Sequence, residues 1–315
     1  MAKFLLQYME SIKAECLEVH YYAVGPKDGD TIILLHGFPN DVHAYDTVSG
    51  NLSESGYRCI VPYLRGYGAT RFLSSDTMRS GQQAALGVDL LALMDALCVE
   101  TTFLGGYDWG GRAACIVAAL WPGRVRGLVS CGQGYNIQDI AKATEPSPAV
   151  EEARYWYMYY FHTERRRAGL TQNRRDFCRY IWSLWSPSWH FSDETWAATA
   201  PSFDNPDFVE IVLHSYRHRF GGFPGDPAYN EIELRLAARP SISVPSIVLQ
   251  GQDDGVDPPS EEDPHRPHFS GFYERWIIEG AGHNLPQEAP EAFSAAMNVV
   301  SEALKREKET TPRPK

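Results

Sequence analysis

Two hydrophobic rhythms alternate along the first 130 positions. Thr31-Ile32-Ile33-Leu34-Leu35 is a continuous apolar run bounded by Asp30 and Gly37, the pattern of a strand covered on both faces. Leu17 to Val24 and Cys59-Ile60-Val61 read as further strands, as do Thr101 to Gly105 and Val125 to Ser130. Between them, Asp46 to Ser55, Ser80 to Leu97 and Arg112 to Leu120 read as helices, and Leu86, Leu90, Leu93 and Leu97 form one apolar stripe. Leu64-Arg65-Gly66-Tyr67-Gly68 is a glycine-punctuated loop. Strands alternating with helices predict a mostly parallel, doubly wound α/β sheet.

The rhythm changes after about residue 134. From 135 to 239 no buried strand is evident, and stretches such as Arg154-Tyr155-Trp156-Tyr157-Met158-Tyr159-Tyr160-Phe161 are aromatic, charged and helical in spacing. Strand patterns return at Ser246-Ile247-Val248-Leu249 and Tyr273 to Ile278, followed by a helix from about Ala289 to Leu304. The expected organisation is an α/β core of residues 1–134 and 240–304, interrupted by a helical cap of residues 135–239. The charged, proline-containing tail of residues 305–315 is expected to be disordered.

Composition narrows the function. The chain has 315 residues, 43% hydrophobic and 22% charged, with a net charge of −11 that disfavours a nucleic-acid partner. Eight Trp and seventeen Tyr favour a small apolar substrate in an aromatic pocket. The basic run Arg165-Arg166-Arg167 reads as a solvated helix face. The six scattered cysteines read as reduced, buried thiols. With no leader pattern and no long apolar span, the expectation is a cytoplasmic protein without membrane contact, a monomer or a homodimer.

Candidate chemistry lies at three strand ends. In Leu104-Gly105-Gly106-Tyr107-Asp108-Trp109-Gly110-Gly111 a strand ends, a helix begins, and small residues flank one carboxylate. That is the layout of a nucleophile elbow, with Asp108 as the reactive group. His36-Gly37-Phe38-Pro39 follows the first buried strand, where the backbone N–H groups of Phe38 and Trp109 are candidates for an oxyanion hole. Asp253 and Asp254 follow a third strand, and His283 follows the last, giving the chain order nucleophile, acid, histidine. His214 and His218 have an i, i+4 spacing, but no glutamate completes a zinc-protease pattern, so neither metal nor cofactor is expected. The acidic stretch from Asp253 to Asp263 carries Pro258 and Pro259 and reads as a rigid connector rather than a calcium loop.

In combination, His36-Gly37-Phe38-Pro39, Arg65-Gly66-Tyr67-Gly68, Gly106-Tyr107-Asp108-Trp109-Gly110-Gly111, Gly251-x-x-Asp254 and Gly282-His283 with Glu288-x-Pro290 resemble the epoxide hydrolase and dehalogenase branch of the α/β-hydrolases. The resemblance implies Asp108 as nucleophile, His283 as base and Asp254, rather than Asp253, as its acid partner. Carboxylate attack on a saturated carbon leaves a stable alkyl ester, as displacement at an epoxide or a carbon–halogen bond requires.

The epoxide hydrolases of this branch also use two tyrosines to protonate the leaving oxygen. The resemblance places these at Tyr157, in a Tyr-x-x-x-Phe segment with Phe161, and at Tyr216, which precedes Arg217. Haloacetate dehalogenases instead grip a carboxylate with an arginine directly after the nucleophile. Here Trp109 stands in that place, while Arg112 matches a second arginine of that pattern. A dehalogenase and a non-hydrolytic binding or biosynthetic protein of the same fold are therefore the rival readings.

Overall fold

The structure is a computed structural model that describes residues 8–310. In chain order the core elements are β1 (Met9–Ala14), β2 (Leu17–Val24), β3 (Thr31–Leu35), α1 (Asp46–Glu54), β4 (Arg58–Pro62), β5 (Arg71–Phe72), α2 (Gln83–Ala96), β6 (Thr102–Tyr107), α3 (Asp108–Leu120) and β7 (Val125–Cys131). Six helices follow: α4 (Ala149–Arg154), α5 (Trp156–His162), α6 (Arg166–Trp185), α7 (Asp193–Thr199), α8 (Phe208–Gly221) and α9 (Asn230–Ala237). The chain then returns through β8 (Ser246–Gly251), β9 (Tyr273–Ile278), α10 (Leu285–Glu288) and α11 (Pro290–Thr310).

The strands form one sheet in the order β1-β2-β4-β3-β6-β7-β8-β9, with β5 paired to β2. From β4 to β9 every pairing is parallel, and β2 pairs antiparallel with β1, β4 and β5. Every residue of β6 and β8 is buried, which explains why apart from Thr102 and Gln250 they are small, apolar or aromatic. Helices α2 and α3 pack on each other, and α1 packs on α11, so the sheet is covered on both faces. The chain reverses its direction of strand addition at β3, which lies between β4 and β6. In open α/β sheets ligands bind beyond the carboxyl ends of strands at such a switch point.

The expected strands and helices are present, with informative differences. β1 and β5 were not anticipated, because β1 is an exposed edge strand whose Glu10, Ser11 and Lys13 hide its alternation. Helix α3 begins at Asp108, not Arg112. Gly110 and Gly111 are helical, and a Cβ on Gly110 would lie 2.0 Å from the Leu35 carbonyl oxygen of β3. That atom is backbone and cannot rotate away. Gly110→Ala is therefore expected to cost at least about 1–3 kcal/mol by overpacking, read as a lowered urea midpoint.

Helix α11 continues to Thr310, because no proline interrupts the helix-forming Lys, Arg and Glu residues before Pro312. Residues 311–315 lie outside the described residues. Of the cysteines, Cys59, Cys115, Cys131 and Cys178 are buried, whereas Cys98 is exposed at the end of α2 and Cys16 is partly so. All six are free. Among the described residues no helix is long and apolar enough to cross a membrane.

Candidate active site

Three strand-end loops and two helices from the excursion between β7 and β8 meet above the switch point. Asp108 sits where β6 turns directly into α3, with φ +50°. A non-glycine residue in this left-handed region costs on the order of 1–3 kcal/mol and persists only when its surroundings enforce it. Here those surroundings are glycines. A Cβ on Gly106 would meet Gly110 at 2.6 Å, and one on Gly37 would lie 2.5 Å from Asp108 Cβ.

The strained turn aims the carboxylate at its neighbours. Asp108 Oδ1 accepts the Phe38 N–H at 2.7 Å, and Asp108 Oδ2 stands 3.9 Å from His283 Nε2. The opposite face of the imidazole is fixed, with His283 Nδ1 2.7 Å from Asp254 Oδ2. Asp254 Oδ1 in turn accepts the N–H groups of Val256 and Asp257. Asp254, not Asp253, is thus the carboxylate that reaches His283. The histidine loop is held by Glu288, which accepts from the Gly282 N–H at 2.7 Å and the Ser186 hydroxyl at 2.6 Å.

Electrostatics follow from this geometry. Burial alone would push the His283 pKa down. The Asp254 carboxylate and then Asp108 more than offset it and hold the group well above the ordinary histidine range. Burial would raise the Asp108 pKa, but the His283 imidazolium, Arg112 and the Phe38 N–H together bring it below the ordinary carboxylate range. The resting pair is therefore carboxylate and imidazolium.

Tyr157 on α5 and Tyr216 on α8 are both buried, with ring centroids 5.3 Å apart at 84°. Burial pushes both phenols upward, so they stay protonated. Tyr157 lines a small inner cavity of about 20 Å³ together with Asp108, His283, Gln133, Asn136, Tyr155, Trp185, Arg219, Val256 and Asp257. That volume holds about one water. Gln133, Tyr155, Arg219 and Asp257 also line an outer chamber of about 710 Å³. Tyr216 packs behind Tyr157, against Phe38 and Trp109.

Other anticipated residues take supporting positions. His36 is fully buried, accepts the Leu64 N–H through Nε2 and contacts the Gly37 carbonyl through Nδ1. Burial lowers its pKa to about 4, so it is neutral. The Pro39 carbonyl accepts the Trp182 indole N–H at 2.6 Å, tying the first loop to α6. Trp109 is buried and stacked on Phe38. Arg112 donates to the backbone and side-chain oxygens of Asn136 and does not line the inner cavity. Burial and then Arg219 bring its pKa down to about 9. His214 uses both ring nitrogens on backbone, at Gly81 and Pro224.

Several site residues had no signal in sequence. Asn136 donates to the Asp108 carbonyl at 2.8 Å, and the Trp185 ring lies 4.8 Å from that of His283. Asp257 lies in the stretch anticipated as a plain connector, yet it lines both chambers. Its carboxyl is pushed up to about 7 by burial and by Asp254.

A family model described as the alpha/beta hydrolase fold matches residues 30–290. A crystal structure of a candidate epoxide hydrolase from Klebsiella pneumoniae subsp. pneumoniae superposes with a TM-score of 0.92 and 45% identity, covering 95% of this chain and 98% of that one. The epoxide hydrolase of Caballeronia sordidicola is 29% identical over 83% of this chain and 84% of its own length. Epoxide hydrolase A of Mycobacterium tuberculosis is 25% identical over 87% of this chain and 90% of its own.

Proposed function

The chain belongs to the alpha/beta hydrolase fold family, and we propose that it hydrolyses epoxides to vicinal diols through an alkyl ester of Asp108. The observation that carries this reading is a carboxylate at the elbow, 3.9 Å from an imidazole that is itself 2.7 Å from Asp254. The protonated phenol Tyr157 lines the same cavity, and Tyr216 packs behind it. The epoxide hydrolases among its relatives support the same reading.

The reaction has two halves. An Asp108 oxygen attacks one ring carbon, and the bond from that carbon to the epoxide oxygen breaks. The leaving oxygen takes a proton from Tyr157 or Tyr216, and solvent returns a proton to the tyrosinate. Esterification removes the Asp108 charge, one of the two carboxylates that hold the proton on His283. The imidazole then loses its proton more readily and becomes a base. It takes a proton from water as the water oxygen attacks the Asp108 carbonyl carbon. The Phe38 and Trp109 N–H groups hold the oxyanion. Collapse of that oxyanion expels the alkoxide, which takes the proton from the His283 imidazolium and leaves as the diol. The carboxylic group so formed passes its own proton to the imidazole and restores carboxylate and imidazolium. In this reading helices α4 to α9 form a cap that supplies the phenols and excludes bulk water.

The test is one turnover in ¹⁸O-water with enzyme in excess over styrene oxide. Label is expected first in the Asp108 carboxylate and not in the diol. Label going directly into the diol rejects the ester. Chloride release from chloroacetate with no diol from any epoxide selects the dehalogenase reading instead. The phenols give a separate expectation. Tyr157→Phe and Tyr216→Phe should each slow ester formation by about 10²-fold or less, and the double variant by more, because general acid catalysis contributes about 10²–10⁴-fold. Stopped-flow tryptophan fluorescence measures the step.

A further inference from the structure

Resting on that reading, we propose that Arg219 receives a carboxylate carried by the substrate, so that the preferred substrates are epoxy acids with the carboxylate within a few bonds of the ring. Arg219 follows Tyr216 by three residues on α8, so the guanidinium rises from the same helix face as the phenol. It lines both the inner cavity and the outer chamber, at the throat where they share walls.

Its partners are missing from the protein. Among the described residues Arg219 makes no ion pair, and its Nε is buried without a hydrogen-bond acceptor. Its neighbours are ring faces, Phe220 at 4.8 Å and Tyr216 at 5.8 Å. Other arginines around the site are satisfied, Arg65 by Asp89, Arg79 by Asp207 and Arg112 by Asn136. Arg217 of the same helix also has a buried, unpaired Nε, but it lines neither chamber and lies over the Phe223 ring. The other cations of the outer chamber are also committed, Lys142 to Asp139 and Arg239 to the Ile137 carbonyl. A guanidinium N–H withdrawn from water and left unpaired is costly, and a bound carboxylate, which the group can grip with two parallel hydrogen bonds, removes that cost.

The chemistry of the site needs such a cation. A substrate carboxylate near the ring would be repelled by the attacking carboxylate of Asp108 unless a positive charge stood between bulk solvent and the nucleophile. Asp257 lines the same throat. Burial and then crowding by Asp254 favour its neutral form against the opposing pull of His283 and Arg219, and in that form it can donate a hydrogen bond to the same ligand group instead of repelling it.

The experiment compares 3-phenylglycidate with its primary amide, which matches it in shape but lacks the charge, and uses styrene oxide as a neutral reference. In the wild-type protein kcat/KM is expected to favour the acid over the amide by at least about tenfold, mainly through KM. Arg219→Gln should collapse that ratio toward one, and Arg219→Lys should restore part of it. A charge-assisted hydrogen bond of about 1.5–3 kcal/mol corresponds to a change of about 10- to 150-fold. Equal rates for acid and amide in the wild type overturn the proposal. So does an Arg219→Gln variant that melts normally and slows both substrates alike, which would assign Arg219 to the tyrosines. If styrene oxide, acid and amide all fail to give diol, it is the epoxide reading that falls, and this inference falls with it.

Discussion

Replacing Asp108 by Ala is expected to abolish diol formation, lowering kcat by about 10⁴-fold or more, the scale on which loss of a nucleophile acts in covalent hydrolases. The reason is specific to this site. Removing the carboxylate takes away a negative charge that holds the proton on His283, so the imidazole pKa falls and more of it is neutral near pH 7. If water attacked the epoxide directly, with His283 as its base, the variant would keep its activity or gain some. Covalent attack predicts the reverse. Diol yield under steady state, together with intact mass showing no adduct, reads the result.

Folding must be controlled in the same experiment. Ala at φ +50° keeps the strain of the elbow and loses the hydrogen bond from the Phe38 N–H. Asp108→Gly loses the same bond but relieves the strain, since glycine adopts positive φ without steric cost. The glycine variant should therefore melt higher than the alanine variant while being equally inactive. Inactivity that tracked melting temperature would indicate unfolding rather than chemistry.

How much of this was legible before folding depends on how local each signal is. β3 and β8 were readable because burial on both faces demands unbroken apolar runs. The order Asp108, Asp254, His283 was readable because each follows a strand, β6 and β8 buried throughout and β9 only partly so. The start of α3 is hidden because two glycines inside a helix resemble a loop, and the cause at Gly110, the Leu35 carbonyl of another strand, is remote in sequence. Asn136, Trp185, Asp257 and Arg219 were invisible for the same reason. Each becomes a site residue only when a second element brings Asp108 or His283 to it. His36 and Pro39 carried the pattern of a substrate-facing loop, but their side chain and carbonyl are spent on holding that loop to Leu64 and Trp182.

His283→Gln separates the two halves of the reaction. Ester formation needs the Asp108 carboxylate and the phenols, all retained, whereas ester hydrolysis needs a base, which is lost. One equivalent of epoxide should be consumed in a burst, the intact mass should rise by the mass of the substrate, and steady-state kcat should fall by about 10³- to 10⁴-fold, the upper part of the range for general base catalysis. The burst carries a second signature with a definite sign. In the wild type the His283 imidazolium helps hold the Asp108 pKa below the ordinary carboxylate range. Ester formation should therefore persist as pH falls, and be lost only below about pH 4, the ordinary Asp value. Without the imidazolium, burial acts with less opposition and the Asp108 pKa rises. The acid limb of the burst must then move to higher pH. Rapid-quench measurement of the burst between pH 4 and 8, with peptide mapping of the adduct, tests both parts. A burst with no shift of its acid limb would mean that the two side chains are not electrostatically coupled, and an adduct on any residue but Asp108 would remove the nucleophile from the scheme.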